Sequence, residues 1–358
     1  MQIVIAILLF AVLVLVHEFG HFIVAKRAGV RVEEFAIGFP PRLFSVRRGE
    51  TEYSINLLPL GGYVRMPGEN GETTDAQGNA DPRTFGAQTA RNRAAILVAG
   101  VTMNFLLAWV IYTGLFAFQG QQHLDYAYVA GVVANSPAQT AQLGANDRIV
   151  AINGSKTSDS AVIHDLIQTA INSDKTNSAT VPITMTILRN GQTQDVTVQA
   201  RRNPPQGQGS IGIQIGQQLR YSHVPLYQTP FLGIQALGNN FTVTGDAFHK
   251  IFTGLIKPSE AFAGPVGIVS IAGQAAQQGP VVVLSFLAYL SWNLAVVNLL
   301  PIPGLDGGRL LILGIEVLRR GKRLAPEREA LINLAGLVFL LSLIAVITFN
   351  DISHLINR

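Results

Sequence analysis

Four long apolar segments constrain the fold of this chain more than any other feature. A helix needs about 20 mostly apolar residues to cross a bilayer. Four segments approach or exceed that length: 3–25, 94–118, 281–298 with a continuation beyond Pro303, and 331–349. Charged residues are only 13% of the 358 positions, against about 25% in an average soluble domain. We therefore predict a multi-pass α-helical membrane protein with about four transmembrane helices.

The basic residues predict how these helices are oriented. Lys and Arg concentrate in loops that face the cytoplasm, and here they cluster in residues 26–93 and 319–328. This pattern places both termini and the long region 119–280 outside the cytoplasm. The first segment is followed, not preceded, by basic residues, which is the reverse of a signal peptide. The net charge of +4 gives little support to a nucleic-acid partner, so we expect none.

The first apolar segment contains His17-Glu18-Phe19-Gly20-His21. On a helix, residues four apart share a face, so both imidazoles can bind one Zn²⁺ with Glu18 beside its water. The chain has no cysteine, so zinc would need histidine and carboxylate ligands. Ionisable groups at membrane depth are costly and usually functional. The alternative, polar residues that snorkel at a membrane edge, would favour Lys or Arg, which begin only at Lys26.

A second polar constellation, 298–309, interrupts the third apolar segment. Its proline and glycine residues break the helix and let the chain approach a partner closely. Asp306 is a lone carboxylate beside an apolar run. Taken alone, it is better explained as the N-cap of a helix that begins near Gly307. Because the two histidines form an incomplete site in another segment, we favour Asp306 as a third zinc ligand, with the fourth position left for water.

The regions between the apolar segments contain strand patterns. Residues 36–66 are apolar and Gly-rich, and 54–64 are typical of a hairpin. Non-helical backbone at membrane depth must be covered by protein or line a water cavity, so a soluble hairpin is an equal alternative to a membrane-associated one. Residues 127–200 combine strand and helix patterns with Asn-Gly turns and predict a small α+β domain. Residues 226–256 predict an amphipathic helix at the membrane surface.

Together these motifs resemble the site-2 protease family of intramembrane zinc metalloproteases. The nearest type is the regulator of sigma-E protease, here with a single PDZ domain. The resemblance rests on residues 17–21, on 298–306 with Leu305-Asp306-Gly307, and on 264–268. The central α+β domain resembles the family's PDZ domain at 135–138 and 147–154.

The resemblance implies a zinc metalloendopeptidase that performs regulated intramembrane proteolysis. Its substrates would be single-span membrane proteins, such as anti-sigma factors or signal-peptide remnants, already trimmed by an upstream site-1-type protease. The hairpin at 52–66 would re-enter the membrane and pair with an extended substrate, and the PDZ domain would act as a size filter. The implied residues are the zinc ligands His17, His21 and Asp306, the general base Glu18, and the substrate-binding residues Asn298, Gly61, Gly62 and Tyr63.

The expected architecture is a membrane helix bundle with a membrane-associated β-hairpin and an inserted α+β PDZ domain. We expect a bacterial inner (plasma) membrane location, contact with the lipid bilayer, and an active site near the cytoplasmic face. The predicted parts are a first transmembrane helix (1–26), a cytoplasmic region with the re-entrant hairpin (27–93), a second helix (94–118), the PDZ domain and linker (119–209), an amphipathic surface region (210–280), a third transmembrane segment (281–318), a cytoplasmic loop (319–330) and a fourth helix (331–350).

Two other classes fit part of the pattern. A metal transporter could also place His and Asp in membrane spans, but it would need further polar residues along a path across the bilayer. A non-catalytic membrane scaffold with a PDZ domain would not need Glu18 beside the metal. The sequence therefore favours the protease.

Overall fold

The computed structural model describes residues 2–69, 73–74, 80–176, 178–205, 208–256 and 264–356. The contacts divide the chain into two compact units. One, the helical unit, comprises Met1–Phe118 and Pro225–Arg358. The other, the inserted unit, comprises Gln119–Val224.

Helices and strands are mixed as far as β8, and the described elements after it are helices. The helices are α1 (Gln2–Arg27), α2 (Ala90–Gln119), α3 (Pro137–Thr140), α4 (Ser160–Ser173), α5 (Thr229–Phe252), α6 (Pro265–Gln278), α7 (Pro280–Leu299), α8 (Asp306–Leu318) and α9 (Pro326–Ile356). The strands are β1 (Glu34–Arg48), β2 (Thr51–Arg65), β3 (Gln121–Val132), β4 (Arg148–Ile152), β5 (Ser155–Lys156), β6 (Thr180–Arg189), β7 (Gln192–Arg201) and β8 (Ile213–Ser222).

In the part of the helical unit that the structure describes, four helices are long and apolar enough to cross a membrane, namely α1, α2, α7 and α9. They fall on the four predicted apolar segments. The third segment is interrupted after α7, as the prolines and glycines predict, and the chain resumes as α8. Leucines along α9, such as Leu334, Leu337 and Leu341, are about half exposed, which is the pattern of a helix that faces lipid.

Two apolar clusters hold α1 in place. Leu9 and Leu13 of α1 pack with Ala272 of α6 and Leu287 of α7. At the other end of α1, Ala25 belongs to a second cluster that includes side chains of the first sheet and of α2 (Phe35, Val64, Ile96 and Leu97). The second cluster fixes the sheet against the half of α1 that carries the two histidines.

In the first sheet, both arms of β2 pair with β1. The second half of β1 pairs antiparallel with the first arm of β2, from Arg42↔Asn56 to Arg48↔Thr51. The start of β1, residues 34–37, pairs with both arms of β2. Residues 34–37 pair in order with 52–55, so these two segments run parallel. The same residues pair in reverse order with 62–65, so those two segments run antiparallel. The start of β1 therefore lies between the two arms of β2.

This register corrects the predicted hairpin at 52–66, whose arms flank β1 instead of pairing with each other. Glu34 explains the arrangement, since this buried carboxylate needs partners. It accepts hydrogen bonds from Ser54 Oγ and Arg42 Nη2, both at 2.7 Å. Among the described residues, the arm at 62–65 has a strand partner on one side only.

The inserted unit is a sheet of order β7-β6-β4-β3-β8, with β5 paired to β4. Two-residue Asn-Gly turns join β4 to β5 and β6 to β7, and all four turn residues have positive φ. Helices α3 and α4 begin at side-chain N-caps, Ser136 and Asp159. Isoleucine and valine side chains of α4 and of the strands form the core.

The inserted unit reaches beyond the predicted domain boundary at residue 209. Strand β8 pairs with β3 along its whole length, from Val132↔Ile213 to Gln121↔Ser222. The predicted membrane-surface region 210–280 therefore wrongly included β8, which belongs to the inserted unit. In that same stretch, helix α5 covers most of the predicted amphipathic helix, and α6 was not predicted.

Candidate active site

The two histidines of α1 are buried beside α2. His17 is 8% exposed and His21 is 7% exposed. The Nδ1 atom of His21 lies 2.8 Å from the carbonyl oxygen of Ile96, which can only accept a hydrogen bond. Nδ1 therefore carries the proton, and Nε2 of the neutral ring keeps its lone pair for a metal.

Gly100 of α2 makes room for these rings. A Cβ atom at this position would lie less than 3.0 Å from ring atoms of both His17 and His21. A side chain here would push the two histidines away from the position that they share. The glycine at this turn of α2 is therefore part of the construction of the site.

Asp306 closes a triangle with the two histidines. Its Oδ2 atom lies 3.2 Å from Nε2 of His17 and 3.3 Å from Nε2 of His21, and the two Nε2 atoms are 3.2 Å apart. A tetrahedral zinc ion with bonds of about 2.0 Å separates its ligand atoms by about 3.3 Å. The three atoms thus have the spacing of three zinc ligands.

The hydrogen bonds around Asp306 support the same interpretation. Its Oδ2 is buried and has no hydrogen-bond partner, although a buried carboxylate oxygen normally requires one. The alternative role as an N-cap is not observed, because the N-cap residue of α8 is Leu305 and it makes no side-chain cap. An oxygen without a donor, facing two nitrogen lone pairs, fits a bound cation.

Glu18 and Asn298 line the same cavity, of about 230 Å³, as the three candidate ligands. Asn298 lies in the last turn of α7, and its Nδ2 is 3.4 Å from Nε2 of His17. The amide thus lies beside one of the candidate zinc ligands. Glu18 is the only residue of the cavity that α1 contributes besides the two histidines.

The arm at 62–65, which has a strand partner on one side only among the described residues, borders this cavity. Tyr63, Val64 and Met66 line it. Gly62 lies against Glu18, since a Cβ atom at this position would be 3.5 Å from Cγ of Glu18 and 2.7 Å from the backbone oxygen of Ala36. Gly61 is not among the cavity-lining residues and packs against the ring of Phe39. Of the three predicted substrate-binding residues in this arm, two therefore lie at the site.

Three residues at the site were not assigned a role from the sequence. Asn104 of α2 is fully buried, and its side-chain amide lies 3.3 Å from Nδ1 of His17. Glu69 and Arg309 line the cavity and form an ion pair at 3.2 Å. The signal for Asn104 was available, since a polar residue in the middle of an apolar span is unusual. No signal in the sequence indicates the pairing of Glu69 with Arg309, because 240 positions separate the two residues.

Known proteins with similar sequences are zinc metalloproteases. A putative zinc metalloprotease of Clostridium perfringens is 38% identical over 98% of both chains. A second, from Clostridium acetobutylicum, is 33% identical over 99% of this chain and 98% of the relative. The regulator of sigma-W protease RasP of Bacillus subtilis is 31% identical over 98% of this chain and 97% of its own.

The model of peptidase family M50 matches residues 5–343. That range contains all three candidate ligands, Glu18 and Asn298. The match covers both units, so it does not depend on the H-E-x-x-H motif alone. This chain belongs to peptidase family M50, the site-2 proteases, and is a zinc metalloprotease.

Proposed function

We propose that this protease cuts single-span membrane proteins within the membrane, at a site made by α1, α7 and α8. The observation that carries the proposal is the triangle of His17, His21 and Asp306 beside Glu18. Their cavity is bordered by a strand edge that has no second partner among the described residues. Each of these components has a task in peptide hydrolysis. Helices α1 and α7 are long and apolar enough to span a membrane, and α8, which carries Asp306, follows α7.

In the proposed mechanism His17, His21 and Asp306 hold zinc. Bound zinc would polarise the scissile carbonyl and lower the pKa of a water molecule. Glu18 would serve as the general base and acid: its carboxylate would accept a proton from the attacking water and give it to the leaving amine. The Asn298 side-chain amide donates a hydrogen bond to the developing oxyanion or to the substrate backbone, and one such donor can contribute about 3 kcal/mol.

The arm at 62–65 is the proposed docking edge for the substrate. An intact helix hides its peptide bonds in its own hydrogen bonds, so a protease must first extend it. An added strand would lie about 4.8 Å from this edge, and its backbone would exchange helical hydrogen bonds for bonds to the edge. Tyr63 lines the cavity and Gly62 lies against Glu18, which supports binding of the scissile segment there.

The proposed setting is a bacterial inner membrane, with both termini and the inserted unit outside the cytoplasm and the active site near the cytoplasmic face. The basic residues of 26–93 and 319–328 support this orientation. By resemblance to the family, the substrates are anti-sigma factors or signal-peptide remnants that an upstream protease has trimmed. The inserted unit, as a PDZ domain, would exclude substrates that have not been trimmed.

Two variants test the assignment of the base and of the third ligand. Glu18→Gln should keep about one zinc per chain and lose at least about 10²-fold in cleavage of a single-span substrate. Asp306→Ala should lose both zinc and cleavage. Elemental analysis and a cleavage assay of the purified protein measure the two outcomes. Full activity of Glu18→Gln would exclude Glu18 as the base, and unchanged zinc in Asp306→Ala would remove Asp306 from the ligand set.

A further inference from the structure

We propose that the Glu69–Arg309 ion pair is a positioning device that holds the docking edge of the sheet at a fixed distance from the helix that carries Asp306. The inference rests on the proposed docking of substrate along 62–65. It concerns residues that touch neither zinc nor the reacting atoms in the proposed mechanism. Both residues line the cavity of the site.

Glu69 connects directly to the end of the docking edge. Its Oε1 accepts a hydrogen bond from the backbone N–H of Met66, at 2.8 Å. Met66 immediately follows β2 and is buried, with 7% exposure. The carboxylate therefore fixes the backbone at the end of the edge, not merely a mobile side chain.

The other oxygen of Glu69 reaches α8. Glu69 Oε2 accepts from Arg309 Nη1 at 3.2 Å. Arg309 follows Asp306 by one helical turn, and its backbone N–H donates to the carbonyl oxygen of Leu305 at 3.1 Å. Two side chains thus link the backbone of the docking edge to the first turn of the helix that holds the candidate third ligand.

The charges around the cavity make this pair specific. The described lining residues include three carboxylates, on Glu18, Glu69 and Asp306, and Arg309 is the one Lys or Arg among them. Glu69 is thus the carboxylate of this cavity to which Arg309 donates a hydrogen bond. The pair therefore links the docking edge to α8.

The expected effect is on substrate placement and not on zinc. A displacement of about 1 Å between a bound substrate and the catalytic groups can cost about 10²-fold in rate. We expect Glu69→Ala and Arg309→Ala each to lower kcat/KM by about tenfold or more, with zinc still near one per chain. Because the two side chains act as one link, the double variant should be no worse than the more damaged single variant.

The test uses the full-length protein in detergent, with three measurements on each variant. These are zinc by elemental analysis, kcat and KM on a single-span substrate, and hydrogen exchange of peptides that cover 62–69. Exchange should accelerate in both single variants. Glu69→Gln, which keeps an acceptor for the Met66 N–H but loses the charge, should show a smaller effect and guards against misfolding of the alanine variants.

Glu50→Ala is the matched control. Glu50 is a carboxylate of similar exposure at the β1–β2 turn, paired with Lys26 and Arg83, and it does not line the cavity. It should leave exchange at 62–69 and kcat/KM unchanged. Unchanged exchange at 62–69 in the Glu69 and Arg309 variants, or additive losses in the double variant, would overturn the inference. Exchange and zinc need no substrate, so a wild type that cleaves no membrane protein would refute the proposed function separately.

Discussion

The imidazole of His17 is positioned from its far side by α2. For Nε2 to present a lone pair to zinc, Nδ1 must carry the proton and needs an acceptor. The amide of Asn104 stands there at 3.3 Å with Nδ2 toward the ring, while its buried Oδ1 has no partner. The two ends of an amide have nearly the same shape. A half-turn of the amide places Oδ1 beside the ring and gives Nδ1–H of His17 its acceptor.

Asn104→Leu should therefore weaken zinc binding. Loss of such a supporting hydrogen bond typically lowers metal affinity by about 10–100-fold. The measurement is retention of zinc against a series of chelators of increasing affinity. Ser291→Ala is the control, because Ser291 donates to the backbone oxygen of Asn104 and does not touch His17. Equal zinc retention by Asn104→Leu and the wild type would show that the amide does not support the ligand.

At the scale of elements, the sequence predicts the membrane-spanning helices but not the strand pairing of the first sheet. The four spans follow from runs of apolar residues, which need no knowledge of partners. The register of β1 and β2 depends on Glu34, a buried carboxylate whose partners Arg42 and Ser54 lie on different segments. Glu34 also pairs with Arg65 of the second arm, at 3.4 Å. Its contacts to both arms of β2 appear only in the tertiary structure, so the sequence does not reveal that β1 lies between them.

In the inserted unit, β4 begins directly after Asp147, a buried carboxylate that pairs with Arg189. Asp147 is 2% exposed. Burial by itself raises its pKa, but hydrogen bonds from Arg189 and the Gly144 N–H outweigh burial and hold the pKa of Asp147 below its ordinary value. A depressed folded-state pKa contributes stability that is present above the unfolded pKa, near 4, and is lost as the pH falls through the folded value.

Asp147→Asn should destabilise the inserted unit at pH 7 by about 1–3 kcal/mol, and the difference from wild type should shrink below about pH 4. Both tryptophans, Trp109 and Trp292, lie in the helical unit. Hydrogen exchange of peptides from 121–222 in the full-length protein, corrected for intrinsic rates, is therefore the measurement. The exposed Asp195 provides the control substitution, Asp195→Asn. A difference that stays constant from pH 7 to pH 3 would contradict the assignment.

At the scale of the whole molecule, the sequence predicts the residues of the site better than it predicts the domain boundary. The candidate ligands and the base follow from two short motifs, and the role of Asn298 follows from the resemblance to the family. The structure brings all of these residues to one cavity. The boundary at 209 fails because β8 is recognisable only through its pairing with β3, some 90 residues earlier. Gln121 and Ser222 are register partners, so the inserted unit begins and ends at adjacent points.

That adjacency defines a clean excision that tests the proposed size filter. Replacing 121–222 by about two residues joins points that are about 5 Å apart across a sheet and removes β8 together with the strand that it pairs with. The shortened protease should cleave both untrimmed and trimmed single-span substrates, whereas the full chain should cleave only the trimmed one. Electrophoresis of the products measures this. Continued rejection of untrimmed substrate by the shortened protease would rule against a filter in the inserted unit.

The three candidate zinc ligands are also far apart in the order of synthesis. The two histidines are made first, and 284 residues lie between His21 and Asp306. At about 5–20 residues per second, the ribosome adds the intervening chain in roughly 15–60 s. Through that interval a nascent chain has two metal ligands and a carboxylate base but no complete metal centre. A chain that ends before Asp306 would lack the third candidate ligand, and we therefore expect such a product to have no hydrolytic activity.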